Sequence, residues 1–241
     1  MKHAKKENIW ETLTLNIDFE NLVKSAESPC EFQLELKAVL DFYCKEHVKI
    51  IEVGSFSGIT SLILDDRFDK TLLDSNHNAV MLSESIFEHY GKKATFVTGD
   101  MFNMPFPNGY FDVIFNAGVL EHFMYEDRVR ALREYARVLK NSGEILVAFP
   151  NHYSAPYKLA YRYLTRNDQW KYPIEVPLYD LKNEVRAAGL ILSRREVKAR
   201  KTAYHYLSLL PRHWRYILYP LFKMLPCEGY LTIVKIRKNE N

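Results

Sequence analysis

KIIEVGSFSGITSLIL, residues 49–64, is the stretch that decides the fold. It begins with a short apolar run of the kind that forms a strand buried on both faces. A turn of small residues from Gly54 to Gly58 follows, and a second apolar run begins a helix that Ser57 is predicted to cap. The two glycines let the backbone turn sharply and approach a ligand that a Cβ atom would obstruct. A strand, a tight turn and a helix in this order place backbone N–H groups around a concave ligand site.

The spacing of these glycines does not fit the common phosphate-binding loops. A dinucleotide-binding loop has the pattern G-x-G-x-x-G, and a P-loop has the pattern G-x-x-x-x-G-K-[ST]. The turn here reads G-S-F-S-G, with Phe56 where the middle glycine would stand and no glycine three residues after Gly58. The turn therefore favours a ligand without phosphates.

Strands, helices and short loops alternate through residues 48–150, which predicts a parallel, doubly wound α/β sheet. Ligands of such sheets bind beyond the carboxyl ends of the strands. Polar residues or glycine stand at five of these predicted ends: Glu52 with Gly54, Asp74, Asp100, Asn116 and Asn151. Five such coincidences are stronger evidence for a ligand site than any one motif.

Two of these acids suit the recognition of an adenosine. Asp74 follows Glu52 at about the spacing at which an acid meets the ribose in a nucleotide-binding fold. A carboxylate that accepts from both ribose hydroxyls makes two strong hydrogen bonds. Asp100 is placed to accept from the adenine amine, with Met101 supplying a backbone N–H and an apolar wall. Asn76, just beyond Asp74, is predicted to cap the next helix.

The chain resembles the class I S-adenosylmethionine (SAM)-dependent methyltransferases at these positions. The first motif of that family is an acid-x-G-x-x-x-G loop, which Glu52, Gly54 and Gly58 match. Leu120-Glu121-His122 matches the L-E-H signature after strand four, which is frequent in methyltransferases of small molecules such as quinone precursors. The resemblance covers residues 48–150. It implies SAM as cofactor and a Rossmann-like, mostly parallel seven-stranded sheet with an antiparallel last strand.

The resemblance also implies the residues of the cofactor site. Asp74 matches the acidic residue that binds the ribose hydroxyls in this family, and Asp100 matches the acidic residue that binds the adenine. The predicted cofactor-binding residues are Glu52, Gly54, Ser55, Phe56, Gly58, Asp74, Ser75, Asp100, Met101, Asn116 and Ala117.

Transfer to an oxygen acceptor also needs a general base. His122 is the first candidate, because an imidazole titrates near neutral pH, although a histidine that only orients the loop fits the position equally well. His152 and Tyr153, after the fifth strand, are further candidates. No metal is expected, because Asn116 and Asn151 stand where metal-dependent relatives carry acids.

At 241 residues, of which 47% are hydrophobic, the chain fits a single methyltransferase domain over residues 1–241. Residues 1–47 are predicted to form a helical cap, with Leu36 and Leu40 packing on the sheet. Residues 48–150 form the SAM-binding core, and residues 151–241 the substrate side. A turn is predicted at residues 141–143 before the fifth strand.

An insertion at about residues 199–228 is aromatic and basic, and the basic fold does not require it. Pro211, Pro220 and Pro226 are predicted to divide it into short helices. We expect a lid over an apolar substrate or a dimer contact before a membrane-surface patch. Counted from the sequence, residues 1–150 hold 16 Lys and Arg and 23 Asp and Glu, a charge of −7, whereas the remaining residues hold 17 and 7, a charge of +10. This asymmetry indicates either a solvated face or a surface that meets anions.

Nothing in the sequence reads as a signal peptide or a membrane span, so we expect a soluble, cytoplasmic protein. Cys30, Cys44 and Cys227 are widely separated and are interpreted as reduced thiols.

The expected function is methyl transfer from SAM to an oxygen or nitrogen atom of a small-molecule or lipid-like acceptor, by a monomer or a homodimer. One alternative is a methyltransferase of RNA or another anionic polymer that uses the basic C-terminal third. A second alternative is a non-catalytic SAM-binding subunit. Methylation of a nucleic-acid base is not favoured, since its N/D-P-P-Y/F and Pro-Cys motifs do not follow strand four.

Overall fold

The computed structural model describes residues 2–43, 47–224 and 227–239, with side chains described from residue 9 to 42 and throughout the two later ranges. Cys44 and Pro226 lie outside the described residues, and Cys30 and Cys227 are free thiols. The strands are β1 (Val48–Val53), β2 (Phe68–Asp74), β3 (Thr95–Thr98), β4 (Phe111–Ala117), β5 (Leu139–Pro150), β6 (Leu190–Lys198) and β7 (Leu231–Lys238). The α-helices are α1 (Lys2–Leu15), α2 (Phe19–Glu27), α3 (Glu31–Tyr43), α4 (Ile59–Leu62), α5 (His77–His89), α6 (Tyr125–Val138), α7 (Ala155–Arg166), α8 (Lys182–Ala187), α9 (Arg200–Leu207) and α10 (Arg212–Met224), with a 3₁₀ turn at Leu120–His122.

Among the described residues, seven strands form one sheet in the order β3-β2-β1-β4-β5-β7-β6. Strands β1 to β5 pair in parallel, and β7 runs antiparallel between β5 and β6. The predicted seven-stranded, mostly parallel sheet with an antiparallel last strand is confirmed. Strand β1 lies inside the sheet between β2 and β4, and its apolar residues are buried on both faces.

Helices cover both faces of this sheet. Successive side chains of a strand point to opposite faces, so β1 contributes to two separate cores. Ile51 lies in one buried cluster with Tyr135 of α6. Ile50 lies in another with Leu36 and Leu40 of α3, as predicted for that helix. Because both faces are covered, the site is left at the carboxyl edge of the parallel strands.

Three local predictions are wrong. Helix α4 begins after Gly58, which is its N-cap residue and has a left-handed backbone conformation. A glycine offers no capping side chain, so the prediction that Ser57 caps this helix is wrong. Residues 141–143 lie within β5 and form no turn, because β5 pairs with β4 on both sides of them, through Leu139 with Phe111 and Glu144 with Val113. Pro220 lies inside α10 instead of ending it. This proline is exposed, and the carbonyl that lacks its N–H partner can be hydrated there.

Asn76 does cap α5, since its side chain accepts a hydrogen bond from the Asn78 N–H. The same Asn76 side chain donates to the Thr14 hydroxyl at 3.0 Å, which fastens α1 to the start of α5. Within the described ranges, no helix is both long and apolar enough to cross a membrane.

Candidate active site

The loop between β1 and α4 is shaped by backbone conformations that side chains seldom adopt. Gly54 and Gly58 have φ angles of 73° and 67°, and Phe56 between them has a φ of 47°. A Cβ atom on Gly54 would lie 2.6 Å from Val119 Cγ2, and one on Gly58 would lie 2.5 Å from Leu72 Cδ2. Both glycines are therefore required by conformation and by space.

Asp74, at the end of β2, holds this loop from the neighbouring strand. One carboxylate oxygen accepts from the Phe56 N–H at 2.9 Å, and the other accepts from the Asn76 N–H at 2.9 Å. Burial raises the pKa of this carboxyl. Each oxygen of an ionised carboxylate has a further lone pair, so Asp74 can also accept from a ligand. Ser75 beside it is exposed.

Glu52 is turned into the protein. Its Oε2 accepts from the Ser61 hydroxyl at 2.5 Å and from the Ser61 N–H at 3.2 Å. Burial raises the pKa of Glu52 to about 8. The Glu52 carboxyl thus ties β1 to α4, and a direct contact with the cofactor stays a prediction.

Asp100 and Met101 follow β3 and differ in exposure. Asp100 is exposed, and its carboxylate accepts from the Phe102 N–H at 2.9 Å. The Met101 side chain is buried, with its sulfur 3.6 Å from the Tyr135 hydroxyl. Asp100 is accessible to a ligand at the sheet edge, whereas the Met101 side chain belongs to the core.

Two buried oxygens at the ends of β1 and β4 lack hydrogen-bond partners among the described residues. They are Ser55 Oγ and Asn116 Oδ1. Ala117, the residue after Asn116, is half-buried. The Asn116 amide nitrogen is satisfied, since it donates to the Tyr135 hydroxyl at 2.9 Å. Because unsatisfied buried acceptors are costly, this pair fits a ligand that donates hydrogen bonds, such as the ammonium group of SAM.

Trp10 of α1 bridges the cofactor loop and the 3₁₀ turn. Its ring lies 5.8 Å from the Phe56 ring and 5.5 Å from that of His122, both in edge-on contact. His122 is buried. The N-terminal helix thus covers the two loops that carry the family motifs.

Glu121 is a functional candidate that sequence reasoning treated only as a letter of the L-E-H motif. It is almost fully buried, and its Oε2 has no hydrogen-bond partner among the described residues. Burial, and next the negative charge of Glu175, raise its pKa well above the ordinary value. The Glu121 carbonyl accepts from the Val176 N–H at 2.7 Å, which brings the loop after α7 to this turn. A charged residue inside the apolar run around residue 120 was the available sequence signal.

Glu175 gathers a second group of polar side chains. Its carboxylate lies 2.9 Å from His152 Nε2 and accepts from the Tyr157 hydroxyl at 2.7 Å. The Tyr161 hydroxyl accepts from the Glu175 N–H at 2.9 Å. His152 is therefore brought into a buried cluster, whereas Tyr153 is 59% exposed and lies outside it. No sequence motif marked Glu175, because its partners are distant in the chain.

Three tyrosine rings extend this cluster. Tyr157 lies 4.7 Å from Tyr206 and 5.0 Å from Tyr230, and the last two are 5.0 Å apart. Burial raises the pKa of Tyr206 to about 12, so its hydroxyl is neutral at physiological pH. Tyr206 comes from α9, so the insertion contributes to the surroundings of Glu175. Whether the insertion closes over an acceptor as a lid stays a prediction.

The described residues contain no group of three or more His, Cys, Asp and Glu side chains able to hold a metal ion. The expectation that the reaction needs no metal ion stays a prediction.

Part of the chain matches a known protein family. Residues 51–147 match the family described as "Methyltransferase domain". The chain is 27% identical over 151 residues to 2-methyl-6-phytyl-1,4-hydroquinone methyltransferase 2, chloroplastic, of Oryza sativa subsp. japonica, covering 61% of this chain and 42% of that protein. It is 28% identical over 113 residues to the uncharacterized methyltransferase YcgJ of Bacillus subtilis, covering 46% and 43%. The chain thus spans less than half the length of these curated relatives.

Two solved structures share the fold. A SAM-dependent methyltransferase from Aquifex aeolicus has a TM-score of 0.59 at 16% identity, covering 92% of this chain and 98% of that one. The [4+2]-cyclase SpnF has a TM-score of 0.62 at 18% identity, covering 86% and 82%. At these identities the likeness concerns the fold alone, which serves more than one reaction.

Proposed function

The chain belongs to the class I SAM-dependent methyltransferases, and on this premise we propose that it transfers a methyl group to an oxygen or nitrogen atom of a small-molecule or lipid-like acceptor. The observation that supports this proposal is the buried Glu121 carboxyl, whose Oε2 has no hydrogen-bond partner among the described residues and which adjoins His122 in the 3₁₀ turn after β4. SAM, when bound, supplies a methyl group on a sulfonium that is already activated for displacement. The protein has to bind SAM and the acceptor, align the two, and exclude water from the site.

Binding is proposed to rest on the sheet edge. Gly54 and Gly58 let the backbone approach the cofactor, and Asp74 accepts from its ribose hydroxyls. Asp100, exposed at the next strand end, accepts from the adenine amine. Ser55 Oγ and Asn116 Oδ1, two buried oxygens without hydrogen-bond partners among the described residues, accept from the cofactor's ammonium group.

Alignment and proton removal are proposed for the 3₁₀ turn. His122 is buried beneath Trp10, and it takes the proton of a hydroxyl acceptor. Glu121, with its raised pKa, orients the polar group of the acceptor. Holding the acceptor in line can supply about 7–11 kcal/mol of the barrier. The Trp10 ring excludes water from this turn.

The acceptor panel begins with hydroquinones. The rice relative is named as a methyltransferase of 2-methyl-6-phytyl-1,4-hydroquinone. A hydroquinone with a long prenyl chain is therefore the first acceptor to test, followed by phenols and amines without a chain. Radioactive methyl transfer from SAM to each acceptor measures the activity. Tight SAM binding without turnover across the panel would support the non-catalytic subunit instead.

His122→Ala is expected to lower turnover by about 10²–10⁴-fold, the usual contribution of a general base, while the SAM affinity changes little. Calorimetry with SAM and steady-state kinetics on the best acceptor separate the two effects. His89→Ala, on the exposed end of α5, is the matched control and should leave both quantities unchanged. If SAM binding collapses and turnover per bound enzyme does not, the assignment of His122 as base is wrong.

A polymer acceptor is the second candidate, favoured by the charge of +10 on residues 151–241. Arg194, Arg195, Arg200 and Lys201 are all exposed. If the acceptor is RNA, binding must weaken with rising salt and with replacement of these four residues. Cytoplasmic location and homodimer formation remain predictions under either function.

A further inference from the structure

We propose that α10 docks on the surface of an anionic lipid bilayer, with its axis in the plane of the membrane. This surface is defined by the outward side chains of α10, Tyr216, Ile217, Leu221 and Met224, and by the flanking cations Arg212 and Lys223. It is separate from the candidate active site, and docking requires no methyl transfer.

The inner side of α10 is already used. Leu218 and Phe222 pack on a small cluster that contains Leu207 of α9 and Leu210. The Arg215 side chain donates to the Leu210 carbonyl at 2.8 Å. Helix α10 is therefore fixed to the protein along one side.

The opposite side of α10 exposes large apolar side chains. Tyr216 is 68% exposed, Ile217 70% and Met224 85%, and Leu221 is also exposed. With 100° between successive residues, these four lie on one half of the helix. None of the thirteen residues of α10 is buried. Such a continuous apolar stripe is unusual on a surface that meets only water.

The charged residues of the chain segment that contains the stripe have one sign. Residues 197–227 contain no Asp or Glu, and they contain the cations Lys198, Arg200, Lys201, Arg212, Arg215 and Lys223. The Arg212 guanidinium lies 5.7 Å from the Tyr216 ring centre, and the Lys223 ammonium lies 4.9 Å from that of Tyr219. Among the described residues, Arg212 and Lys223 have no carboxylate partner.

This combination favours a bilayer over the other occupants. An interfacial helix buries an apolar stripe at the boundary of headgroups and acyl chains, while cations at its edge reach the anionic headgroups. A second copy that packed α10 against α10 would bring Arg212 and Lys223 near like charges. RNA would satisfy the cations but would leave Ile217 and Met224 in water.

Docking would also place the candidate site near the membrane. Helix α10 packs on α9, and α9 supplies Tyr206 to the tyrosine rings beside Glu175. A lipid-like acceptor would then enter from the bilayer side. Only this link to the acceptor rests on the proposed function.

The test is cosedimentation of the full chain with vesicles of equal parts phosphatidylglycerol and phosphatidylcholine, compared with pure phosphatidylcholine. The wild type is expected to bind the anionic vesicles and to release them at high salt. Arg212→Gln with Lys223→Gln should bind about 30-fold more weakly, because each cation near an anionic surface adds about a factor of five or more. Ile217→Ser with Met224→Ser should weaken binding at every salt concentration.

Matched controls replace the same residue types elsewhere. Lys93→Gln with Lys182→Gln removes two exposed cations, and Leu15→Ser with Met81→Ser removes two exposed apolar side chains. Both controls should bind like the wild type, and thermal midpoints confirm that every variant is folded. The proposal fails if the wild type does not cosediment with anionic vesicles or if the α10 variants bind these vesicles as strongly as the controls do. It also fails if the α10 variants abolish dimerisation or RNA binding while vesicle binding persists.

Discussion

Glu52, at the end of β1, and Glu121, just after the neighbouring strand β4, are both buried, yet their surroundings give them different tasks. The Glu52 carboxyl is satisfied by Ser61, whereas Glu121 Oε2 has no hydrogen-bond partner among the described residues. A buried acid with hydrogen bonds stabilises a loop, and one without them is available to a ligand. The pKa of each carboxyl is raised, so the pH dependence of stability can report on these residues.

Glu52 should make the protein less stable as pH rises. The pKa of Glu52 is raised from 4.5 to about 8 by burial, so between these values the folded protein keeps a proton that the unfolded chain has released. The free energy of unfolding therefore falls from about pH 4.5 to about pH 8, by an amount on the order of several kcal/mol. Glu52→Gln should remove this part of the slope. Urea midpoints of both proteins at about pH 5 and about pH 8.5 measure it, and parallel changes would contradict the assignment.

Gly54→Ala should cost more than Gly91→Ala, its matched control. Both glycines have positive φ, which costs alanine about 1–2 kcal/mol, but a Cβ on Gly91 meets nothing within 4 Å. A Cβ on Gly54 would meet Val119, so we expect a larger loss of stability and a loss of S-adenosylhomocysteine binding.

Adding Val119→Ala to Gly54→Ala separates these effects. The second change should restore the urea midpoint because it removes the clash. Calorimetry should still show weak binding if the Cβ atom itself obstructs the ligand. Full recovery of affinity would mean that the loop does not approach the cofactor closely.

At the scale of elements, the buried Arg128–Glu184 pair connects α6 to α8 at 2.9 Å. Arg128 also donates to the carbonyls of Leu120 and Phe123, the residues that begin and follow the 3₁₀ turn. The turn that carries Glu121 and His122 is thus held from α6. The sequence did not indicate this pair, because the partners are far apart in the chain.

Glu184→Ala should destabilise the protein by about 3–5 kcal/mol, because it leaves the Arg128 charge buried and unpaired. The double variant Arg128→Met with Glu184→Leu should lose less than the sum of the single changes, since no charge remains. Urea unfolding of the four proteins gives the coupling energy. Additive losses would show that the two side chains do not depend on each other. Turnover should still fall in the double variant, because the 3₁₀ turn loses its donor.

At the scale of the whole molecule, the strand-end residues were predictable and their partners were not. The apolar run at β1, the Asn76 cap and the acid Asp74 are local features, so a short window reveals them. The contact of Trp10 with His122 and that of His152 with Glu175 join distant parts of the chain. Only the fold brings such pairs together, and Pro220 shows that tertiary position can override a local rule.

S-adenosylhomocysteine should stabilise the whole chain, and NAD should not. At a hundredfold excess over its dissociation constant, a ligand adds about 2.7 kcal/mol, or a rise of roughly 5–10 °C in the thermal midpoint. Trp10→Ala should reduce this rise, because α1 covers the cofactor loop. Differential scanning fluorimetry measures it, with Trp214→Ala as the tryptophan control. A rise with NAD alone would contradict the cofactor assignment.

The position of β7 bears on how the protein is made. This strand is the closest to the C-terminal end of the sequence, yet it fills the gap between β5 and β6. During synthesis on the ribosome, β5 therefore keeps an open edge until β7 emerges, and β6 has no strand beside it. Open edges invite pairing between nascent chains, so we expect chaperones to matter most in this interval. Stop codons before residue 231 should give aggregates.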